Sequence, residues 1–323
     1  TFLYFHLYNN IENIFKKINM SNDVNGQPND VGKEKNMAKC TIGIDFGTLS
    51  ARAALVNVDT GNVIATASQN YEHAVIDDRL STGQQLKTDW ALQVPNDYKE
   101  AMIHSVKAVL TESQVDPEDV IAIGTDFTAC TILPIYEDGT PLHEDEQFYD
   151  RPYVYAKLWK HHAAERYADK LTSMAEESGE TFLKRYGGKI SSEWELPKVW
   201  QIMEEDPEVY ERADHIVEAG DWISFLLTGQ LTKSSCGAGY KGTWHAEEGY
   251  PDQEFLNSLH PLFADYVTDK MNFPVYNPGE VCGYLTEEMA NTLGLKAGIP
   301  VSPFVIDAMA SFPATGITGA AQM

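Results

Sequence analysis

The stretch Ile42-Gly43-Ile44-Asp45-Phe46-Gly47-Thr48-Leu49-Ser50-Ala51-Arg52 constrains the fold more than any other part of the chain. Its first half alternates apolar and small residues, which predicts a buried strand, and its second half turns at Gly47 with hydroxyls and one carboxylate nearby. A second apolar run over residues 53–58 leads through Asp59-Thr60-Gly61-Asn62 into a third over residues 63–67, so the segment reads as a three-stranded β-meander. The turn has the character of a phosphate-side loop, with an ordinary hairpin turn as the plain alternative for Gly47 and Thr48. A carboxylate there would repel an anion directly. The part expected of Asp45 is therefore to hold a hydrated Mg²⁺ that bridges phosphates.

A chain of 323 residues can bury a sizeable core as two domains or one large lobed domain. The balance of 24 Lys and Arg against 48 Asp and Glu, a formal charge of -24, argues against nucleic acid or an anionic membrane as a partner, because both need clustered positive charge. Cys40, Cys130, Cys236 and Cys282 form no C-x-x-C pair and have no His at metal-ligand spacing, so they read as reduced thiols of a cytoplasmic protein. No run of about 18 apolar residues is present to span a membrane. Residues 1–18 lack the charge order and cleavage site of a signal peptide, and residues 19–39 are rich in Asn, Asp, Gly and Lys. Residues 1–38 are thus expected to be a disordered extension. Met20 and Met37 are alternative starts, which would make residues 1–36 translated upstream sequence.

Further on, residues 97–113 place apolar side chains at helical spacing, and residues 120–124 read as a buried strand. A small polar loop over residues 124–130 then leads to another strand over residues 131–135, an alternation that suits an α/β domain. Helices follow over residues 153–171, up to Tyr186-Gly187-Gly188, from Leu196, and with Pro207 in the first turn. Asp221 begins a short apolar helix closed by Gly229. The glycine-rich segment 236–242 reads as a loop whose Lys241 has no acidic neighbour in sequence. A bound anion or sugar hydroxyl would be its partner, with a solvated surface lysine as the plain alternative. The apolar run over residues 301–306 delivers Asp307 at the carboxyl end of a strand, where α/β folds place chemistry, although an isolated Asp there is commonly a turn or helix cap. Gly316 and Gly319 then open a second candidate phosphate turn.

Together, the turn at 42–52, the helix at 221–229 and the strand ending in Asp307 resemble the FGGY carbohydrate kinases, which have the actin, Hsp70 and hexokinase (ribonuclease H-like) ATPase fold. Within the family the ribulokinase branch is the most similar. Three stretches carry that likeness: Thr125-Asp126-Phe127-Thr128-Ala129, Tyr186-Gly187-Gly188-Lys189-Ile190-Ser191-Ser192-Glu193-Trp194 and Ala238-Gly239-Tyr240-Lys241. The resemblance implies phosphorylation of a ketopentose hydroxyl with ATP and Mg²⁺. Asp307 would be the general base and a sugar contact, and Asp45 the residue that places the metal. It also implies that Gly47, Thr48, Ser50 and Arg52 form the first phosphate loop, and that Ala129, Lys241 and Trp159 line the sugar site, Trp159 on a sugar-contacting helix. Spacing alone suits core as well as platform for Trp159, and Asp126, for which a structural cap is an equal reading, is left out of the catalytic set.

The chain departs from the family where many members have Trp-x-Asp-x-Arg, since it reads Trp159-Lys160-His161-His162-Ala163. The ribulokinase branch usually keeps an acid where His161 stands. Members also carry a second lobe with the adenosine pocket. The resemblance therefore implies a sugar-binding N-terminal lobe over residues 39–300 and the start of a C-terminal lobe over residues 301–323, a fragment expected to be inactive alone. The expected partner is a small-molecule sugar, with a homodimer allowed. A non-catalytic actin-like ATPase would share the first turn but has no use for the 221–229 helix or for Asp307, whereas a sugar-binding fragment would keep both.

Overall fold

Cys40–Phe46 is buried at every position, as expected of a strand with neighbours on both sides and packed faces. A computed structural model describes residues 39–314. The extension over residues 1–38 and the turn expected at Gly316 and Gly319 lie outside the described residues. In chain order the strands are β1 (Cys40–Phe46), β2 (Ser50–Asn57), β3 (Val63–Asn70), β4 (Leu92–Gln93), β5 (Val120–Phe127), β6 (Ile132–Ile135), β7 (Ala156–Lys157), β8 (His215–Glu218), β9 (Lys233–Ser234), β10 (Val275–Tyr276), β11 (Gly283–Tyr284), β12 (Pro300–Val301) and β13 (Val305–Ile306).

The larger sheet runs in the order β11-β12-β5-β1-β2-β3, with β13 also paired to β5. β1, β2 and β3 form the antiparallel meander that the apolar runs anticipate. β1 pairs in parallel with β5, and β12 and β13 join β5 in parallel on its other side. Parallel neighbours need a crossover, supplied here by the helix Pro95–Ser113. It buries Ala101, Met102, Val106 and Val109, packs across β2 and β3, and ends on Gln114 in the left-handed region at φ 54°. A smaller antiparallel sheet has the order β4-β7-β6-β8.

Two hydrophobic cores result. One lies under the large sheet and includes Phe46, Tyr98, Phe127, Trp222 and Ile306. The other gathers helical residues such as Leu171, Trp194, Trp200 and Phe263. Ala129 packs against both and so marks the seam between them. Two glycines set the spacing near that seam. A Cβ on Gly220 would sit 2.3 Å from the Phe304 ring, and one on Gly237 2.7 Å from it. The helices Ala219–Thr228 and Ser235–Lys241 therefore approach the chain between β12 and β13 more closely than any side chain would allow.

The structure corrects several elements. The helix expected over residues 153–171 begins only at Glu165, because the segment before it is drawn into β7 by pairing with β4 and β6. Trp159 consequently stands on a loop after β7 and not on a helix. The glycine-rich segment at 236–242 is not a loop: Ser235–Lys241 is helical, capped by the Ser234 hydroxyl accepting from the Cys236 N–H. Packing against Phe304 there outweighs the poor helix propensity of Gly237 and Gly239. The single strand expected over residues 301–306 is two short ones, β12 and β13, separated by Ser302-Pro303-Phe304.

Candidate functional site

β1 ends in Asp45 and Phe46, and its register with β5 sets Asp45 beside Asp126. β13 adds Val305 opposite Asp126 and Ile306 opposite Phe127, so that the next residue, Asp307, emerges at the same sheet edge. Three carboxyls thus converge on the carboxyl ends of three parallel strands. Asp45 is buried and its Oδ2 lies 3.3 Å from Arg52 Nε, its partner across the β1–β2 pair. Asp126 is buried in hydrogen-bond contact with Asp45. Burial first, then the negative charges of Asp45 and Asp307, raise its pKa well above the ordinary carboxylate value. Its Oδ1 has no hydrogen-bond partner. Burial, and secondarily the charge of Asp45, also raise the Asp307 pKa, while the Ala308 N–H donating to Asp307 Oδ1 at 2.6 Å opposes the rise.

The turn after β1 is fixed from outside by hydrogen bonds to its backbone. The Gly47 N–H donates to Ser50 O at 3.0 Å, and Gly47 O accepts from the Tyr71 hydroxyl at 3.0 Å. Thr48 O accepts from Gln93 Nε2 at 2.8 Å, and that Gln93 is itself held by the Tyr98 hydroxyl. The Thr48 hydroxyl then accepts from the indole N–H of Trp159 at 3.2 Å, which joins the turn to the opposite wall.

A cavity of about 300 Å³ lies between them, lined by Thr48, Thr128, Ala129, Trp159, Glu193, Tyr240, Lys241, Ile306, Asp307 and Ala308. Five of the residues singled out in the sequence, Thr48, Ala129, Trp159, Lys241 and Asp307, meet here although up to 259 positions separate them. Asp45 and Arg52 pair on the adjoining strands, while Gly47 and Ser50 belong to the turn without lining the cavity. Trp159, at 38% exposure, lines the cavity and is not core. Asp307 combines both readings, since it opens the helix Asp307–Ala314 and faces the cavity. A larger cleft of about 520 Å³, lined by residues such as Lys87, Arg151 and Asp206, contains none of the singled-out residues.

Lys241, which has no acidic neighbour in sequence, has one in space. Glu193 Oε2 lies 3.3 Å from its Nζ, across 48 positions of chain, and the ammonium also stands over the Trp194 and Tyr240 rings. A sugar hydroxyl would meet a donor and an acceptor held side by side. Glu193, Thr128 and Tyr240 escaped sequence reasoning, and Asp126, set aside there as a structural cap, stands within β5 beside Asp45. All four sit inside the stretches that carried the resemblance, but only strand register and packing show that they face the other groups.

His161 has no part in the cavity. It is fully buried, and the Ala91 N–H, which can only donate, makes Nδ1 the acceptor at 3.3 Å and leaves Nε2–H to donate to Gln201 Oε1 at 2.9 Å. Desolvation, with the charges of Lys157 and Lys198 behind it, pushes its pKa well below 6.5. The unfolded chain therefore binds this proton first, and stability falls as pH drops below about 6.5, by ~1.4 kcal/mol per unit until the folded pKa is reached. Relative to wild type, His161→Gln should be less destabilised by acid between pH 6.5 and 5. Urea midpoints across that range check this, and parallel pH dependences in the two proteins would refute it.

The donor set suits a hard cation. Asp45 supplies carboxylate oxygens, and Asp126 has a buried oxygen without a hydrogen-bond partner beside it. Among the described residues no three His, Cys, Asp or Glu side chains come together as a metal cage. That pattern fits an ion such as Mg²⁺, which keeps waters and phosphate oxygens in its shell.

Residues 40–312 match the N-terminal domain of the FGGY family of carbohydrate kinases. The chain is 49% identical to the ribulokinase of Bacillus licheniformis over 276 residues, 85% of this chain and 50% of that protein. It is 45% identical to the ribulokinase of Mycolicibacterium smegmatis over 272 residues, 84% of this chain and 48% of that one. Among solved structures, xylulose kinase from Rhodospirillum rubrum superposes with a TM-score of 0.67 at 20% identity, over 87% of this chain and 51% of that chain. Gluconate kinase from Lactobacillus acidophilus gives 0.64 at 19% identity, over 84% and 49%. At those identities the two structures speak for the fold, the one the resemblance implies. The chain spans about half the length of the curated relatives it matches.

Proposed function

This chain belongs to the FGGY family of carbohydrate kinases, and from that premise we propose that it is the sugar-binding part of an ATP-dependent kinase acting on the terminal hydroxyl of a ketopentose. L-ribulose, converted to L-ribulose 5-phosphate in the cytoplasmic breakdown of L-arabinose, is the substrate we favour. Identities of 45% and 49% to ribulokinases support that choice. The observation that carries the reading is the meeting of Asp307, Ala129, Trp159 and Lys241 around one cavity of about 300 Å³ beside Asp45. We assign residues 40–312 to the sugar lobe, because β12 and β13 belong to the same sheet as β5, in place of the division at residue 301 expected from the sequence.

Phosphoryl transfer asks a protein mainly for positioning and charge neutralisation. The Trp159 ring gives the sugar an apolar face, and Lys241 donates to a hydroxyl while Glu193 accepts from one. The Asp307 carboxylate takes the proton of the attacking hydroxyl as the bond to phosphorus forms. A raised pKa makes it a stronger base than a solvated Asp. Bound Mg²⁺, held through Asp45 and water, would neutralise phosphate charge; Arg52, on the neighbouring strand, would add a second cation for the phosphates. Thr48 and Ser50 would present their hydroxyl donors to the phosphates from the turn that Gly47 makes, the Gly47 N–H being taken up by Ser50 O.

Titration calorimetry with L-ribulose, D-xylulose and ATP tests the proposal. Saturable binding of L-ribulose, at least tenfold tighter than D-xylulose, is the expected result. A preference for D-xylulose would move the substrate assignment within the family, and nucleotide binding without any ketose binding would remove the sugar-site reading.

A further inference from the structure

Lys198 is fully buried, yet its ammonium is satisfied by backbone oxygens and not by a carboxylate. Nζ donates to Cys130 O at 2.6 Å, to Leu158 O at 2.6 Å and, at 3.4 Å, to Lys157 O. Each of those carbonyls adjoins a wall of the sugar cavity. Cys130 follows Ala129, and Leu158 precedes Trp159. Both segments lie outside regular structure where they reach the cavity, and Cys130 has φ 59°, a left-handed conformation that a non-glycine residue keeps only when its surroundings hold it. The three oxygens form the kind of carbonyl cluster that elsewhere takes an ion or a water. Here the cation is tethered to the helix Glu195–Glu205, which begins just after the cavity residue Glu193. Burial lowers the lysine pKa only to about 8, so it is charged at neutral pH.

We infer that Lys198 is a positioning residue for the sugar cavity: its ammonium ties the Ala129 turn and the Trp159 loop to one helix and sets the distance between two walls. This rests on the cavity being the sugar site. Lys198 reaches no substrate; it acts through the backbone on either side of it. An apolar residue of the same length would leave three buried carbonyls without a donor and free the strained turn at Cys130.

The test compares Lys198→Met with Leu171→Ala, which opens the same core away from the cavity. Calorimetry with L-ribulose and N-ethylmaleimide labelling of Cys130, mapped by peptide, are the two readouts. Cys130 is 1% exposed in the native chain, and partly exposed Cys236 serves as internal reference. Lys198→Met is expected to weaken L-ribulose binding at least tenfold and to raise Cys130 labelling at least tenfold, with both near wild type in Leu171→Ala. In Lys198→Ala, propylammonium should restore ketose affinity where tetramethylammonium at equal ionic strength does not. Wild-type affinity together with wild-type Cys130 protection in Lys198→Met would overturn the inference, and so would equal changes in Leu171→Ala. If wild-type protein binds no ketose, the proposed function fails instead. Labelling then decides for Lys198 alone: a rise confined to its variants keeps the wall-holding role, and no rise removes it.

Discussion

Asp307→Asn, made in a chain extended to the full length of the curated relatives, is expected to lower turnover ~10²–10⁴-fold while ketose affinity stays within a few-fold of wild type. Asparagine keeps the size of the side chain and its carbonyl can still accept the Ala308 N–H, so the start of the helix Asp307–Ala314 should survive. What it loses is the carboxylate oxygen to which we assign the proton. Burial and the neighbouring Asp45 both favour the protonated acid, which places the working pKa above that of a solvated Asp. Turnover of the wild type should accordingly fall on the acid side, as Asp307 gains the proton it must be free to accept. A coupled ATP assay across pH reads both effects. Turnover of the asparagine variant within a few-fold of wild type would remove Asp307 from the role of base.

Lys241→Met should act on binding and not on the chemical step. The substitution keeps an apolar stem against the Trp194 and Tyr240 rings but removes the charge that faces Glu193 and the cavity. A hydrogen bond from a charged donor is worth ~1.5–3 kcal/mol. Loss of that amount corresponds to a KM for L-ribulose raised roughly 10- to 150-fold. Because the contact is made equally in the bound state and the transition state, kcat should change little, and KM for ATP should stay put. Glu193→Gln provides the complement, since it leaves Lys241 without its ion pair while keeping the pocket shape. An unchanged KM for every ketose in Lys241→Met would return this lysine to the surface.

Much of the architecture was legible because it is written in local pattern. Apolar alternation and turn residues specify the β1–β2–β3 meander, and proline or glycine marks the limits of Pro95–Ser113, Pro207–Arg212 and Ala219–Thr228. The failures share a cause, which is tertiary contact overriding local preference. Ser235–Lys241 contains two glycines and is nonetheless helical, because the Phe304 ring occupies the space their side chains would need. Ala156–Lys157 looks helical by spacing but is extended, because β4 and β6 supply hydrogen-bond partners.

The candidate site divides in the same way. By itself the sequence determined which chemistry was on offer: an aspartate at a glycine turn, a second at the end of a late strand, a lysine and a tryptophan, in an order that resembles one kinase family. Only the tertiary structure decided which of these groups meet, and which others join them. Asp126 is set beside Asp45, with its pKa raised by burial and by that charge, through parallel register between strands some 80 residues apart. Glu193 becomes the partner of Lys241, and Lys198 the buried cation behind two cavity walls, through tertiary packing that brings side chains and backbone distant in sequence within 3.5 Å. Residue type follows from a single position. Protonation state and partner depend on the dielectric and charges that distant segments bring, and these exist only once the chain has folded.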